Sequence, residues 1–90
     1  MNLEDKYKNL KALLDEEKFP KPFLFKFIIL TDPKKEAAVK ACFDSKAEFK
    51  LNTSKSNKYT TINIMQRMDS SQAIIDKYLL VSKIENVIHL

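Results

Sequence analysis

Hydrophobic and polar positions alternate most regularly between residues 23 and 30. Phenylalanine or isoleucine occupies every odd position of this stretch, while the even positions hold Leu24, Lys26, Ile28 and Leu30. Side chains of a strand point to opposite faces in turn, so a period of two indicates a β-strand. The pattern predicts a strand whose aromatic face is buried and whose other face is also rich in hydrocarbon.

Three more segments carry the same period. Phe49 and Leu51 alternate with polar residues, and the final heptapeptide IENVIHL, residues 84–90, is predicted to be a closing strand. Between them, residues 59–67 are predicted to place Ile62 and Ile64 on one face. The opposite face of that strand would carry Tyr59, Thr61, Asn63, Met65 and Arg67.

Apolar residues at helical spacing predict three helices. The first, over residues 3–17, carries a stripe of Leu3, Tyr7, Leu10 and Leu14 and is ended by the prolines that follow. The second begins at Asp32-Pro33, where the acid can cap the helix and the proline suits its first turn. The third follows Asp69, whose spacing to Gln72 resembles a capping box.

The resulting order is helix, then β-α-β-β-α-β. Because crossover connections are right-handed, this order favours an α+β fold, the ferredoxin-like βαββαβ sandwich with an extra N-terminal helix. The expected antiparallel sheet has the order 4-1-3-2, with both central helices on one face. We expect two units, an N-terminal helix over residues 1–18 and the ferredoxin-like domain over residues 19–90.

Composition narrows the class of protein. The 90 residues carry a formal charge of +4, and residues 19–62 hold nine lysines against four acids. The longest apolar run, Phe27–Leu30, is too short to span a bilayer. The single cysteine, Cys42, excludes an internal disulfide and suits a reducing compartment, so a cytoplasmic location is expected.

No residue pattern predicts catalysis, a metal site or a cofactor. The single histidine, His89, and Cys42 cannot make a zinc site, which takes three or four protein ligands. Ser70 and Ser71 have no evident base and are expected in the first turn of a helix. Without glycine, no loop approaches a phosphate closely. We therefore expect neither an enzyme nor a cofactor.

Several segments resemble a known family. The stretches FPKPFLFKFI, SKSNKYTT and DKYLLVSKIENVIHL are similar to the YbeD-like family of small bacterial proteins, also called domain of unknown function 493. The resemblance covers about residues 19–90, although Ser56-Asn57 stand where members usually carry a glycine. It implies a ferredoxin-like fold similar to ACT regulatory domains, and it implies no established activity.

The second face of the first strand is the candidate interaction face, comprising Leu24, Lys26, Ile28, Leu30, Tyr59 and Met65. When helices cover one side of a sheet, the other side is normally polar because it is exposed to solvent. The second face of this predicted sheet is instead largely apolar. Two alternatives could cover this apolar face: the protein's own N-terminal helix, or a second protein, including another copy of the chain. Lys26 can extend its ammonium past the apolar residues or pair with an acidic partner.

Three functions follow from this sequence. The first is a regulatory or adaptor module that binds a protein partner or itself through the sheet. The second is an ACT-like sensor of a small metabolite such as an amino acid, although the junction Leu30-Thr31-Asp32-Pro33 lacks the glycine usual in such sensors. The third is RNA contact, for which Tyr59 is the sole aromatic residue expected on that face.

Overall fold

The computed structural model describes residues 7–89. Within that range the chain forms three helices and four strands. In chain order they are α1 (Lys8–Leu14), β1 (Lys21–Leu30), α2 (Pro33–Ala41), β2 (Glu48–Thr53), β3 (Tyr59–Met68), α3 (Ser71–Ser82) and β4 (Ile88–His89).

The four strands form one antiparallel sheet in the order β2-β3-β1-β4. All ten residues of β1 pair with β3, with Leu24 opposite Met65 and Leu30 opposite Tyr59. The α+β class is confirmed, and the arrangement is compatible with a ferredoxin-like fold. The predicted closing strand over residues 84–90 is too long, because a turn at Asn86 precedes Ile88 and His89, the two residues that pair with β1.

The aromatic face of β1 is buried, as its periodicity predicts. Phe25 and Phe27 have no exposed surface. The Phe25 ring lies 5.0 Å from that of Phe43, after α2, and 5.4 Å from that of Tyr78, on α3. Ile62 and Ile64 of β3 complete this layer, so the helices pack on one face of the sheet.

Of the two predicted helix caps, one is confirmed and one is wrong. Asp32 caps α2, accepting a hydrogen bond from the backbone of Lys34 at 2.9 Å. The predicted cap of the last helix, Asp69, is wrong: Ser70 has the extended backbone of a cap and accepts from the Ala73 amide at 3.1 Å. A serine one residue further along fits the same geometry, so the acid is left exposed.

Asparagine replaces glycine where the backbone needs a positive φ. Asn57, in the turn between β2 and β3 where family members usually carry a glycine, has a φ of 60°. Asn86 adopts the same value in the turn before β4, which the strand predicted there did not allow for. Short polar side chains tolerate this left-handed conformation better than other residues with a Cβ atom.

Helix α1 packs beside α3, in the helical layer. The ring of Tyr7 stacks on Tyr78 at 5.5 Å, and Leu14 is buried in the core. The Ser71 hydroxyl donates a hydrogen bond to the Asp15 carboxylate, which together with nearby Lys11 lowers the pKa of Asp15. The predicted helix over residues 3–17 ends earlier, at Leu14, and residues 3–6 of the prediction, including Leu3, lie outside the described residues.

None of the helices within residues 7–89 is both long enough and apolar enough to cross a membrane.

Candidate functional site

The six residues of the candidate interaction face lie on one side of the sheet. We call this side, which faces away from the helices, the open face. Direct pairing across antiparallel strands brings side chains to the same face, so Leu24 lies beside Met65 and Leu30 beside Tyr59. Lys26 and Ile28 occupy the two rows between these pairs. The sequence therefore places these six side chains correctly; whether they bind anything stays a prediction.

The open face exposes large apolar side chains. Exposed fractions are 49% for Leu24, 44% for Leu30, 41% for Tyr59, 38% for Met65 and 52% for Ile88. Scattered apolar side chains are normal on protein surfaces, but contiguous groups of them mark interaction sites. The contiguity on this face is what makes it a candidate site.

These side chains form two patches. The first, the Leu24 patch, consists of Leu24 and Met65 and borders a groove of about 540 Å³. The second, the Leu30 patch, borders a groove of about 380 Å³ and consists of Ile28, Leu30, Tyr59 and Ile88. Ile28 is half-buried here because Ile88 of β4 pairs with it.

A polar row separates the two patches. Asn63 pairs with Lys26 on one side and with Lys50 on the other, so the three side chains share the open face. Both lysines are exposed, and neither forms an ion pair within residues 7–89. The lysine cations that do pair with acids, Lys11, Lys21 and Lys40, lie outside this row.

Helix α1, the described part of the predicted N-terminal helix, packs on the other side of the sheet and does not cover this face. Tyr7, Leu10 and Leu14 of the predicted stripe pack into the core cluster on the helical side. This side already holds the rings of Phe25 and Tyr78, and it offers α1 a deeper apolar surface than the open face, which a row of lysines interrupts. No described residue outside the sheet lies over the Leu24 patch, whose groove is lined by strand residues alone.

The residues considered for chemistry have structural roles in the described part of the chain. Ser70 caps α3 and Ser71 bonds to Asp15. Cys42 is half-buried, its thiol lies 3.5 Å from the carbonyl of Ala38, and burial raises its pKa. Within the described residues, no three acidic, histidine or cysteine side chains come together as metal ligands.

Sequence reasoning missed two members of the open face, Ile88 and Lys50, while Asn63 was predicted on the face that Tyr59 and Met65 share. Ile88 could have been found from its period-two position in the final segment, had its strand been placed in register with β1. Lys50 and Asn63 were predicted to be strand residues, but their alignment with Lys26 depends on the register of three strands. Periodicity fixes which face a residue occupies and does not fix which residues are neighbours.

Comparison with known proteins gives one match. Residues 15–90 match the model of a family described as "Protein of unknown function (DUF493)". No curated protein and no solved structure matches the chain. The family membership implied by the sequence segments above is therefore confirmed, and the match begins four residues earlier than the resemblance did. The likeness to ACT domains stays a prediction.

Proposed function

Because the chain belongs to the DUF493 family, whose function is unknown, we propose that it is a non-enzymatic regulatory or adaptor module of the cytoplasm. It binds a protein partner, or a second copy of itself, through the open face of a ferredoxin-like sheet. The observation that carries the proposal is the exposure of five large apolar side chains on that face, with α1 packed on the opposite side.

The exposed apolar side chains of the open face gain free energy when a partner buries them. Full burial of a leucine or methionine side chain is worth about 1.5–3 kcal/mol. The Leu24 and Leu30 patches therefore provide a substantial driving force for association, once a partner excludes water from both. A monomer that left them exposed would gain nothing from placing leucines rather than threonines at these strand positions.

Photo-crosslinking tests this proposal in the cells that produce the protein. A benzoyl-phenylalanine placed at Met65 should give a discrete adduct with a second polypeptide, because Met65 lies within the proposed interface. The same group at Ala37, exposed on α2, is the control and should give none. Mass spectrometry of the adduct then distinguishes another protein from a second copy of the chain.

Leu24→Asp is the variant that should disrupt the proposed interface. A carboxylate beside Met65 should abolish the adduct while the protein stays folded, since Leu24 is half exposed. An absence of adducts at Met65, equal adducts at Met65 and Ala37, or adducts with RNA alone would overturn the proposal.

A further inference from the structure

We propose that the partner presents a segment of alternating aliphatic and acidic residues, whose carboxylate binds between Lys26 and Lys50 on the open face. This inference rests on the proposed function and specifies the chemistry of the partner. The aliphatic side chain of the segment packs on the Leu24 patch, and Asn63 lies between the two lysines, where its amide nitrogen can donate a hydrogen bond to the carboxylate.

The geometry of the row suits a carboxylate. Lys26 and Lys50 are separated by one strand, which places their backbones about 10 Å apart across two inter-strand spacings. Long flexible side chains can converge from that separation on one anion above Asn63. The Asn63 amide nitrogen lies 3.4 Å from the backbone carbonyl of Lys50, which holds the amide beside that strand.

Charge on the open face favours an acidic partner over a second copy of the chain. Strands β1, β2 and β3 present Lys26, Lys50 and Arg67 on this face against the single acid Glu48. None of the three cations forms an ion pair among the described residues. Stacking two copies face to face would bring six cations together against two acids, and like charges in contact oppose association.

The distance between Leu24 and Lys26 indicates which residue of the segment lies next to its carboxylate. Leu24 and Lys26 lie two positions apart on one strand, so their side chains emerge about 7 Å apart on the same face. In an extended segment, residues i and i+2 have the same separation. An aliphatic residue followed two positions later by glutamate can therefore contact the Leu24 patch and the lysine row together.

RNA would be attracted by the same cations, but the side chains on which its bases could stack, Tyr59 and Arg67, lie near opposite ends of β3. Recognition of single-stranded bases depends on stacking against aromatic or arginine side chains. Tyr59 is the aromatic side chain that the described part of β1 and β3 presents there, and it lies three rows from Leu24 with Lys58 beside its ring at 5.4 Å. Leu24 and Met65, next to the lysine row, suit an aliphatic side chain instead.

The test is a titration of the full ¹⁵N-labelled chain with two synthetic peptides, followed by NMR. One peptide repeats Leu-Ser-Glu-Ser, and its control carries glutamine in place of glutamate. We expect the acidic peptide to shift the amide signals of Leu24, Lys26, Lys50, Asn63 and Met65, and to bind at least about tenfold more tightly than the glutamine peptide. The Lys26→Gln, Lys50→Gln variant should lose this preference.

A matched variant controls for net charge. Lys34→Gln, Lys83→Gln removes the same charge from exposed positions on the helical side and should keep the preference. Equal affinity for both peptides, no shifts with either, or tighter binding of a uridine dodecamer than of the acidic peptide would overturn the inference. If the Met65 adduct persists in that case, the open face binds a protein of different chemistry; if the adduct is also absent, the proposed function fails as well.

Discussion

Replacing Phe25 with alanine should lower the free energy of unfolding by about 3–5 kcal/mol. The Phe25 ring is fully buried and lies within 6.5 Å of four other aromatic rings, those of Phe23, Phe27, Phe43 and Tyr78. Removing it leaves a cavity that the surrounding rigid rings cannot close. A 90-residue domain has a total stability of roughly 5–14 kcal/mol, so this variant should lose a large part of it.

Leu24 is the matched control, since it is the next residue on the same strand and lies on the opposite face. Leu24→Ala should change the free energy of unfolding by no more than about 0.5 kcal/mol, because the side chain has no core contacts to lose. Urea unfolding followed by circular dichroism measures both variants. Similar losses of unfolding free energy for the two variants would contradict this account, because they would show that both faces of β1 are buried to the same extent.

Leu14→Ala should cost about 2–5 kcal/mol and leave a single unfolding transition. Leu14 is 6% exposed and belongs to the same core cluster as Phe25 and Tyr78, so α1 is expected to unfold together with the sheet. Leu13→Ala removes the same side chain from the next position, which is 65% exposed, and should have almost no effect.

The effect of Leu14→Ala decides whether the N-terminal helix is a unit separate from the rest of the domain. A boundary between residues 18 and 19, as the sequence suggests, predicts that Leu14→Ala leaves the sheet and the other helices at full stability. That result, with tryptic loss of the N-terminal residues and no change in the main transition, would contradict the packing of α1 described here. If α1 unfolds together with the sheet, tyrosine fluorescence and circular dichroism should give the same midpoint of urea unfolding.

Strands β1 and β3 were predictable because each has a clear period of two, with one face of large apolar side chains. The odd residues of β1 and the even residues of β3 are apolar enough that shifting either strand by one residue would expose a phenylalanine or isoleucine. The helix starting at Pro33 was equally clear, because Asp32 and Pro33 each suit one position of a helix start.

The position of α1 could not be read from the sequence. Its stripe of Tyr7, Leu10 and Leu14 fits either apolar surface of the sheet. The choice depends on contacts with Ser71 and Tyr78, far away along the chain. The cap of α3 was missed for a more local reason: Asp69 and Ser70 are adjacent and both favour the capping position, so the backbone alone decides between them.

The candidate site was predictable as a face and not as a set of neighbours. Leu24, Ile28 and Leu30 are anomalous on any sheet that is half solvated, and this anomaly is visible in the sequence. The row of Lys26, Asn63 and Lys50 emerges once the strands are in register. Two lysines that form no ion pair among residues 7–89 flank one amide in this row, and this is a chemical arrangement that periodicity does not show.

The free energy of unfolding of the Leu24→Thr, Leu30→Thr double variant tests the central claim, that the open face, which residues 7–89 leave uncovered, is available to a partner. Threonine keeps the strand propensity of both positions while removing most of their hydrocarbon. We predict a value within about 1 kcal/mol of the wild type. A loss of roughly 3–6 kcal/mol, the worth of two fully buried leucines, would contradict the claim by showing that another part of the chain covers this face.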